Sequence, residues 1–191
     1  MKACADRPGD TDLAQKLSRP RALSERYLCR AFRVLTPLLN DSKHRLDAAS
    51  EMVSWGRKAV VDFQKVVDAD PGHFQNRWEL HDAQRELGIA FLDFGSVQQA
   101  IEAYKDARAT TKLLCQRHGD LASRMVWLKT NLAFDDFNLL EVLSPNDAPA
   151  EKFYRELVDE ALSICEKLDV VRPLSNDLRK VRARSLPGPT L

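Results

Sequence analysis

The stretch from Glu79 to Ala109 constrains the fold more than any other part of the chain. Apolar residues in its first half recur at spacings of three and four, which places them on one side of a helix. Gly95 then suits a helix C-terminus, because glycine adopts the left-handed conformation at little cost. Ser96 follows as the expected N-cap of a second helix, with Gln99 as its capping-box partner. The apolar residues of the first helix are Leu80, Ala83, Leu87, Ala90, Phe91 and Phe94.

The short connection at Gly95 predicts two antiparallel helices in close contact. Gly88 and Ala100 are the expected points of closest approach, since a larger side chain at either would push the backbones apart. A glycine inside a helix costs about 1 kcal/mol relative to alanine, so packing is a reason to keep Gly88. The apolar residues of the second helix are Val97, Ala100, Ile101, Tyr104, Ala107, Leu113 and Leu114.

At these positions the sequence resembles a tetratricopeptide repeat. The pattern of that family is Leu-Gly, an aromatic residue, Gly, and then Ala, an aromatic residue and Ala on the second helix. The first-helix Trp of the family is replaced by Gln84, and its final Pro by Lys112. The resemblance implies antiparallel helical hairpins stacked as a short right-handed solenoid. The matching residues are Leu87, Gly88, Phe91, Gly95, Ala100, Tyr104 and Ala107.

The rest of the chain also predicts helices, and no stretch alternates with a period of two for long enough to indicate a sheet. The fold class is therefore all-α, with six to eight helices. We expect a largely disordered segment at 1–20, a helical domain at 21–172, and a short basic helix with a flexible tail at 173–191. The predicted helices outside the hairpin are Ala22–Leu39, which Pro37 should kink or end, Lys43–Asp68, Leu121–Leu143, a helix from Asp147 or Ala148 to Val170, and Ser175–Arg184.

The composition excludes several function classes. A net charge of +1 creates no global field that would recruit nucleic acid or a membrane. No apolar run reaches the ~18 residues that a membrane span requires, and the first residues lack the apolar segment of a secretory signal. The four cysteines show no CxxC spacing, which argues against a zinc site or redox pair. We expect Cys29, Cys115 and Cys165 to be buried reduced thiols in a cytoplasmic protein.

The sequence contains no recognisable catalytic or metal-binding signature. The four histidines do not match a zinc template, and we expect them on the surface or in loops. Asp135 and Asp136 are adjacent on a helix, so their carboxylates point to different sides. Glu156, Asp159 and Glu160 have the spacing of a solvated face. We therefore predict neither an enzyme nor a cofactor or metal site. The histidines are His44, His73, His81 and His118.

The tetratricopeptide resemblance implies a concave face that binds a protein or peptide. Arg85 and Asn131 would hold a peptide carboxylate or backbone, and Trp127 and Phe134 would be apolar anchors. The alternative is that both aromatic side chains lie in the core. The implied function is an adaptor or a regulatory subunit of a larger, bacterial assembly. Carried over by position, the predicted binding residues are Asp82, Arg85, Ile89, Asp93, Trp127, Asn131, Phe134 and Asn138, with Glu86 beside them.

Three alternatives stay open. The helices could form a closed bundle with a polar pocket that acts as a small-molecule sensor or an enzyme, with His81, Arg85 and Asp135 lining one cavity. An apolar helix face at Leu28–Leu35 could form a homodimer. The basic cluster near the C-terminus could contact phosphate, but it lacks the interleaved aromatic residues that stack on bases. Its residues are Arg172, Arg179, Lys180, Arg182 and Arg184.

Overall fold

The structure is a computed structural model that describes residues 8–118, 122–143, 148–167 and 179. These residues form six α-helices and no strand, which confirms the all-α prediction. The chain divides into two compact units, here called unit 1 (Met1–Ser96) and unit 2 (Val97–Leu191). The stacking of hairpins as a solenoid stays a prediction. The helices are α1 (Pro8–Leu35), α2 (Ser42–Ala69), α3 (Phe74–Asp93), α4 (Val97–His118), α5 (Ala122–Val142) and α6 (Ala148–Lys167), with a 3-10 helix at Thr36–Leu38.

The predicted ends of the helices agree well with the structure except at the start of α1. That helix begins at Pro8 and continues through Pro20. It gives way to the 3-10 turn that contains Pro37, as the missing N–H of proline predicts. Asp41 caps α2, and its carboxylate accepts hydrogen bonds from the N–H groups of Lys43 and His44. The segment at 1–20 was predicted to be largely disordered; its residues 8–20 belong to α1, and 1–7 lie outside the described residues. The predicted C-terminal segment at 173–191 also lies outside them, apart from residue 179.

The end of α3 has the capping geometry that the sequence predicts. Gly95 has a φ of 82°. Its N–H donates to the carbonyl of Leu92 at 2.9 Å, and the N–H of Ser96 donates to the carbonyl of Phe91 at 2.7 Å. These two bonds form a Schellman motif, which satisfies the last carbonyls of the helix. A side chain at residue 95 would therefore strain the backbone.

Unit 1 has an apolar core in which α2 packs against both α1 and α3. Phe63 and Met52 of α2 are fully buried. Gly56 marks the closest approach, because a Cβ atom there would lie 3.1 Å from Leu87 Cδ1 and 3.4 Å from Cys29 Sγ. Gly56 thus has in unit 1 the role that the sequence suggested for Gly88. The core cluster around Phe63 comprises Ala22, Ala59, Val67, Leu80 and Ala83.

Unit 2 packs α5 between α4 and α6. The apolar stripe predicted for α4 is mostly buried, but Val97 at its start is 49% exposed, so that part of the prediction is wrong. The same correction applies to Phe94 after α3, which is 39% exposed. Both lie at a helix end, where fewer neighbours can cover them. The fully buried side chains of the unit 2 core include Leu114, Leu128, Leu139, Leu157 and Val158.

Among the described residues, no helix has the length and apolar character needed to cross a membrane.

Candidate functional site

The side of α1 that faces α3 carries arginines rather than apolar residues. Arg26 is 6% exposed, and its guanidinium lies 2.8 Å from a Glu79 oxygen and 3.1 Å from an Asp82 oxygen. Further along, Arg30 and Arg33 contact the Glu86 carboxylate at 2.6 and 3.2 Å. The arginines recur at spacings of four and three, and the carboxylates at three and four. The two parallel helices therefore present matching rows of opposite charge, here called the arginine ladder.

The opposite side of α1 is apolar and exposed. We call it the outward α1 face. Part of it is the apolar helix face at Leu28–Leu35 that the sequence offers for a homodimer, and the structure shows that this face points away from the unit 1 core. Tyr27 is 57% exposed, Val34 66% and Leu38 71%. Within α1, residues 27, 31 and 34 recur at spacings of four and three, the heptad spacing of a helix seam, and Leu38 follows in the 3-10 helix. The outward α1 face comprises Tyr27, Leu28, Ala31, Val34, Leu35 and Leu38.

The predicted binding residues of α3 have mixed surroundings. Asp82 is half-buried against Arg26, and Glu86 beside it is buried in the ladder. Burial alone would raise the pKa of Asp82, but the His81 ring and the charges of Arg26 and Arg85 outweigh it and hold the pKa below its usual range. Arg85 and Ile89 are half-buried. Asp82 thus already has a partner within the chain, and a binding role for these residues stays a prediction.

Asp93 lines a groove of about 410 Å³ at the end of α3 in unit 1. Phe94 and Leu46 supply apolar walls, and Arg45 a positive charge. Partial burial raises the pKa of Asp93 above its ordinary value. The groove is open, so it offers a carboxyl group and a guanidinium at its rim rather than an enclosed site.

The predicted residues of α5 lie on the exposed side of that helix. Trp127 and Phe134 are each 41% exposed, so the alternative that they are core residues is wrong. Asn131 lies between them and donates from its amide nitrogen to the Trp127 carbonyl at 2.9 Å, and Asn138 follows, half-buried. The buried residues of α5, among them Leu128, lie on its other side. We call residues 127, 131, 134 and 138 the α5 face.

Unit 2 contains a network of charged side chains around one buried carboxylate. The Arg108 guanidinium of α4 contacts both Asp136 of α5 and Glu160 of α6, and Lys112 reaches Glu160 at 2.9 Å. Asp136 is fully buried. One guanidinium thus links all three helices, and the Glu160 side chain, predicted on a solvated face, is 34% exposed and pairs with Arg108 and Lys112.

The two adjacent aspartates of α5 are both part of this polar core. Thr111 donates to the Asp135 carboxylate at 2.8 Å. Burial raises the pKa of Asp136 to about 7, against the opposing charge of Arg108. The prediction that the two carboxylates point to different sides of the helix is not confirmed, because both are fully buried and both contact α4, Asp135 at Thr111 and Asp136 at Arg108. His81 and Arg85 belong to unit 1 and Asp135 to unit 2, so a cavity shared by all three stays a prediction.

The predicted burial is wrong for one histidine and confirmed for one cysteine. His81 is fully buried, with its ring centroid 4.5 Å from that of Trp78, so its expected surface position is wrong. His73 is exposed, and its Nδ1 caps α3 by accepting from the Asn76 N–H. Cys29 is a buried free thiol, as predicted. Burial raises the pKa of that thiol to about 12, which suppresses its nucleophilicity.

Cys115 is a half-buried free thiol, and burial raises its pKa as well. Cys4 and the Cys165 side chain lie outside what the structure describes. Within the described ranges, no group of three or more histidine, cysteine or acidic residues is placed to hold a metal ion.

No family model, curated protein or solved structure matches this chain. The tetratricopeptide resemblance therefore stays a prediction from the residues alone.

The arginine ladder was not predicted, although the sequence contains a signal for it. Arg26 and Arg33 lie seven positions apart on α1 with Arg30 between them, as Glu79 and Glu86 do with Asp82 between them on a helix of the same unit. Complementary rows of equal length indicate two helices that lie side by side. The spacing does not determine which two helices pack together, because that depends on the turns between them.

Proposed function

We propose that this chain is a non-enzymatic protein-interaction module, and that the α5 face binds a protein or peptide. The observation that carries the proposal is the exposure of Trp127 and Phe134 on the same side of one helix, at 41% each. Aromatic side chains of this size dominate binding energy when a partner buries them.

The polar residues between the aromatic anchors favour a peptide or helix as the ligand. The Asn131 amide uses one N–H on the Trp127 carbonyl. A primary amide has a second N–H and an oxygen acceptor, which together match the acceptor and donor of a peptide group. An alternation of aromatic and amide side chains therefore provides apolar pockets and backbone hydrogen bonds in one strip.

The proposal narrows the binding face implied by the tetratricopeptide resemblance to the residues of α5. Asp82 already contacts Arg26, so using it for a partner would cost an existing ion pair. Arg85, Ile89 and Asp93 are left as a second, separate set on α3. An adaptor or regulatory role in a larger assembly would follow from such a face.

The test is affinity capture from the native host, followed by titration of the purified candidate partner. We expect the double variant Trp127→Ala, Phe134→Ala to weaken binding roughly several-hundred-fold, because each anchor contributes on the order of 2 kcal/mol and every 1.4 kcal/mol is a factor of about ten. The matched control is Val61→Ala, Val97→Ala, which removes two side chains that are 54% and 49% exposed elsewhere. Binding that survives the loss of both aromatic residues would reject the α5 face. A chain that captures no partner would reject the proposed function.

A further inference from the structure

The outward α1 face carries no charged side chain. The two charged residues between Tyr27 and Leu38 lie on another side of the helix. Arg30 and Arg33 turn toward Glu86 of α3. The guanidinium groups are therefore engaged on the far side of the helix from Ala31. A surface of this kind repels neither acidic nor basic partners, and an identical surface fits it without a clash of like charges.

We propose that a second copy of this chain occupies the outward α1 face, and that the two α1 helices pack antiparallel about a two-fold axis at Ala31. This proposal concerns unit 1 and is independent of the α5 face.

The arrangement of side chains about Ala31 is self-complementary. Tyr27 lies four residues before Ala31 and Leu35 four residues after it, so an antiparallel copy places each Tyr27 against the Leu35 of its partner copy. Leu28 and Val34 are similarly paired, three residues to either side. The small Ala31 side chain at the centre allows the two helix axes to approach to about 8 Å, the lower end of the usual range. Such an interface is isologous, as in most two-fold dimers.

The size of the face sets the expected affinity. Its five large side chains are between 39% and 71% exposed, which amounts to roughly 500 Å², comparable with the largest apolar patch of a typical monomer. A standard stable interface buries about 800 Å² on each partner. We therefore expect a monomer–dimer equilibrium with a micromolar dissociation constant rather than an obligate dimer.

The first experiment is sedimentation velocity of the full chain over a concentration series. We expect a dimer that dissociates on dilution, and at least a tenfold weaker association for Val34→Glu, which would place a charge in the seam. The matched control is Val61→Glu, because Val61 is 54% exposed on α2 and outside this face. Circular dichroism verifies that both variants stay helical. A monomer at every concentration, or a dimer that persists in Val34→Glu, would overturn the proposal.

The second experiment tests the antiparallel register. Tyr27→Lys and Leu35→Glu should each weaken self-association, since each faces an apolar residue in the partner copy. An equimolar mixture should recover a heterodimer, because Lys at 27 then faces Glu at 35 while the opposite pair keeps the natural residues. Recovery in the mixture supports the antiparallel arrangement. In a parallel dimer residue 27 faces residue 27, and absence of recovery would reject the proposed register.

A lipid surface is the alternative occupant of the outward α1 face. Flotation with neutral and with anionic vesicles measures binding to lipid directly. Vesicle binding by the natural chain that is lost in Val34→Glu, together with a monomer in solution, would overturn the proposed dimer. No flotation, together with concentration-dependent dimerisation, supports it.

Discussion

The ion pairs of the two units differ in their exposure to solvent. Unit 1 has an apolar interior around Phe63, and its arginine ladder runs from Arg26, which is buried, to Arg30 and Arg33, whose side chains are 42% exposed. Unit 2 holds Asp136 at its centre with no exposure, in contact with Arg108. An arginine–carboxylate pair therefore contributes differently to the free energy of unfolding according to its exposure. Solvent screens a pair at the surface, whereas the loss of one member of a buried pair leaves the other charge desolvated and costs much more.

The largest effect that we expect is from Arg108→Ala. This change leaves Asp136 and Glu160 without the guanidinium that links three helices, and removal of one member of a buried pair costs about 3–5 kcal/mol. Amide hydrogen exchange would report it as faster opening of α4, α5 and α6. The control is Arg117→Ala on the exposed side of α4, for which we expect less than about 0.5 kcal/mol. Equal effects of the two substitutions would remove the contrast between the units.

The pH dependence of unit 2 should be the next largest effect. The folded-state pKa of Asp136 is raised to about 7 from an ordinary 3.8, so the folded state binds more protons than the unfolded state between these values. The contribution of this group is therefore full below pH ~4 and is lost as the pH rises through ~7. Opening free energies in α5 should fall by a few kcal/mol over that window, at about 1.4 kcal/mol per pKa unit. Asp136→Asn should flatten the profile, and a steep profile in that variant would assign the titration to another group.

The substitution Gly56→Ala tests whether the stability of unit 1 depends on close apolar packing of its helices. Alanine gains about 1 kcal/mol in helix propensity, but its Cβ would lie 3.1 Å from Leu87 Cδ1 and 3.6 Å from Leu87 Cα. Overpacking of this kind costs about 1–3 kcal/mol, so we expect net destabilisation of about 1 kcal/mol. Urea unfolding measures it, with Gly72→Ala in a turn as the control, since a Cβ there meets only the Asp70 side chain at 3.8 Å. A stabilised Gly56→Ala would show that the helices can separate at little cost.

Arg30→Gln should have the smallest effect. The Arg30 side chain is 42% exposed, and Glu86 keeps Arg33 as a partner. We expect a loss of less than about 1 kcal/mol that diminishes further in high salt. Urea unfolding at two salt concentrations measures it, with Arg117→Gln on the exposed side of α4 as the control. A loss of several kcal/mol, insensitive to salt, would mean that the exposed end of the arginine ladder behaves like the Arg108–Asp136 pair of unit 2.

The sequence predicted the helices well because their signals are local. Gly95 ends α3, Asp41 caps α2, and Pro37 coincides with the end of α1. These features depend on a few neighbouring residues, and no distant contact overrides them. The exposed positions of Trp127 and Phe134 agree with the binding face that was predicted, although their role in binding stays a prediction.

The surroundings of the charged residues were not predictable in the same way. Glu86 has the same local pattern whether it lines an open groove or contacts Arg30, because the pattern of α3 does not reveal what covers it. His81 likewise occupies a polar position on the helical wheel but is fully buried. The apolar face of α1 at Leu28–Leu35 is visible in the sequence, but whether it points into the core depends on which side of α1 the other helices contact. The arginine ladder joins α1 to α3 on the opposite side, so the apolar face stays exposed.

The rate at which the Cys29 thiol is alkylated can report how often unit 1 opens. The Cys29 Sγ lies where α1 approaches Gly56, and no alkylating reagent can reach it while those helices stay together. In a chain where serine replaces the other three cysteines, the labelling rate of Cys29 would report the rate of that opening or, where closing is faster than labelling, its equilibrium constant. A second variant that keeps only Cys115, which is half-buried, provides the corresponding reporter in unit 2. Mass spectra recorded over time for the two variants then distinguish a protein that unfolds in one step from one whose two units open separately.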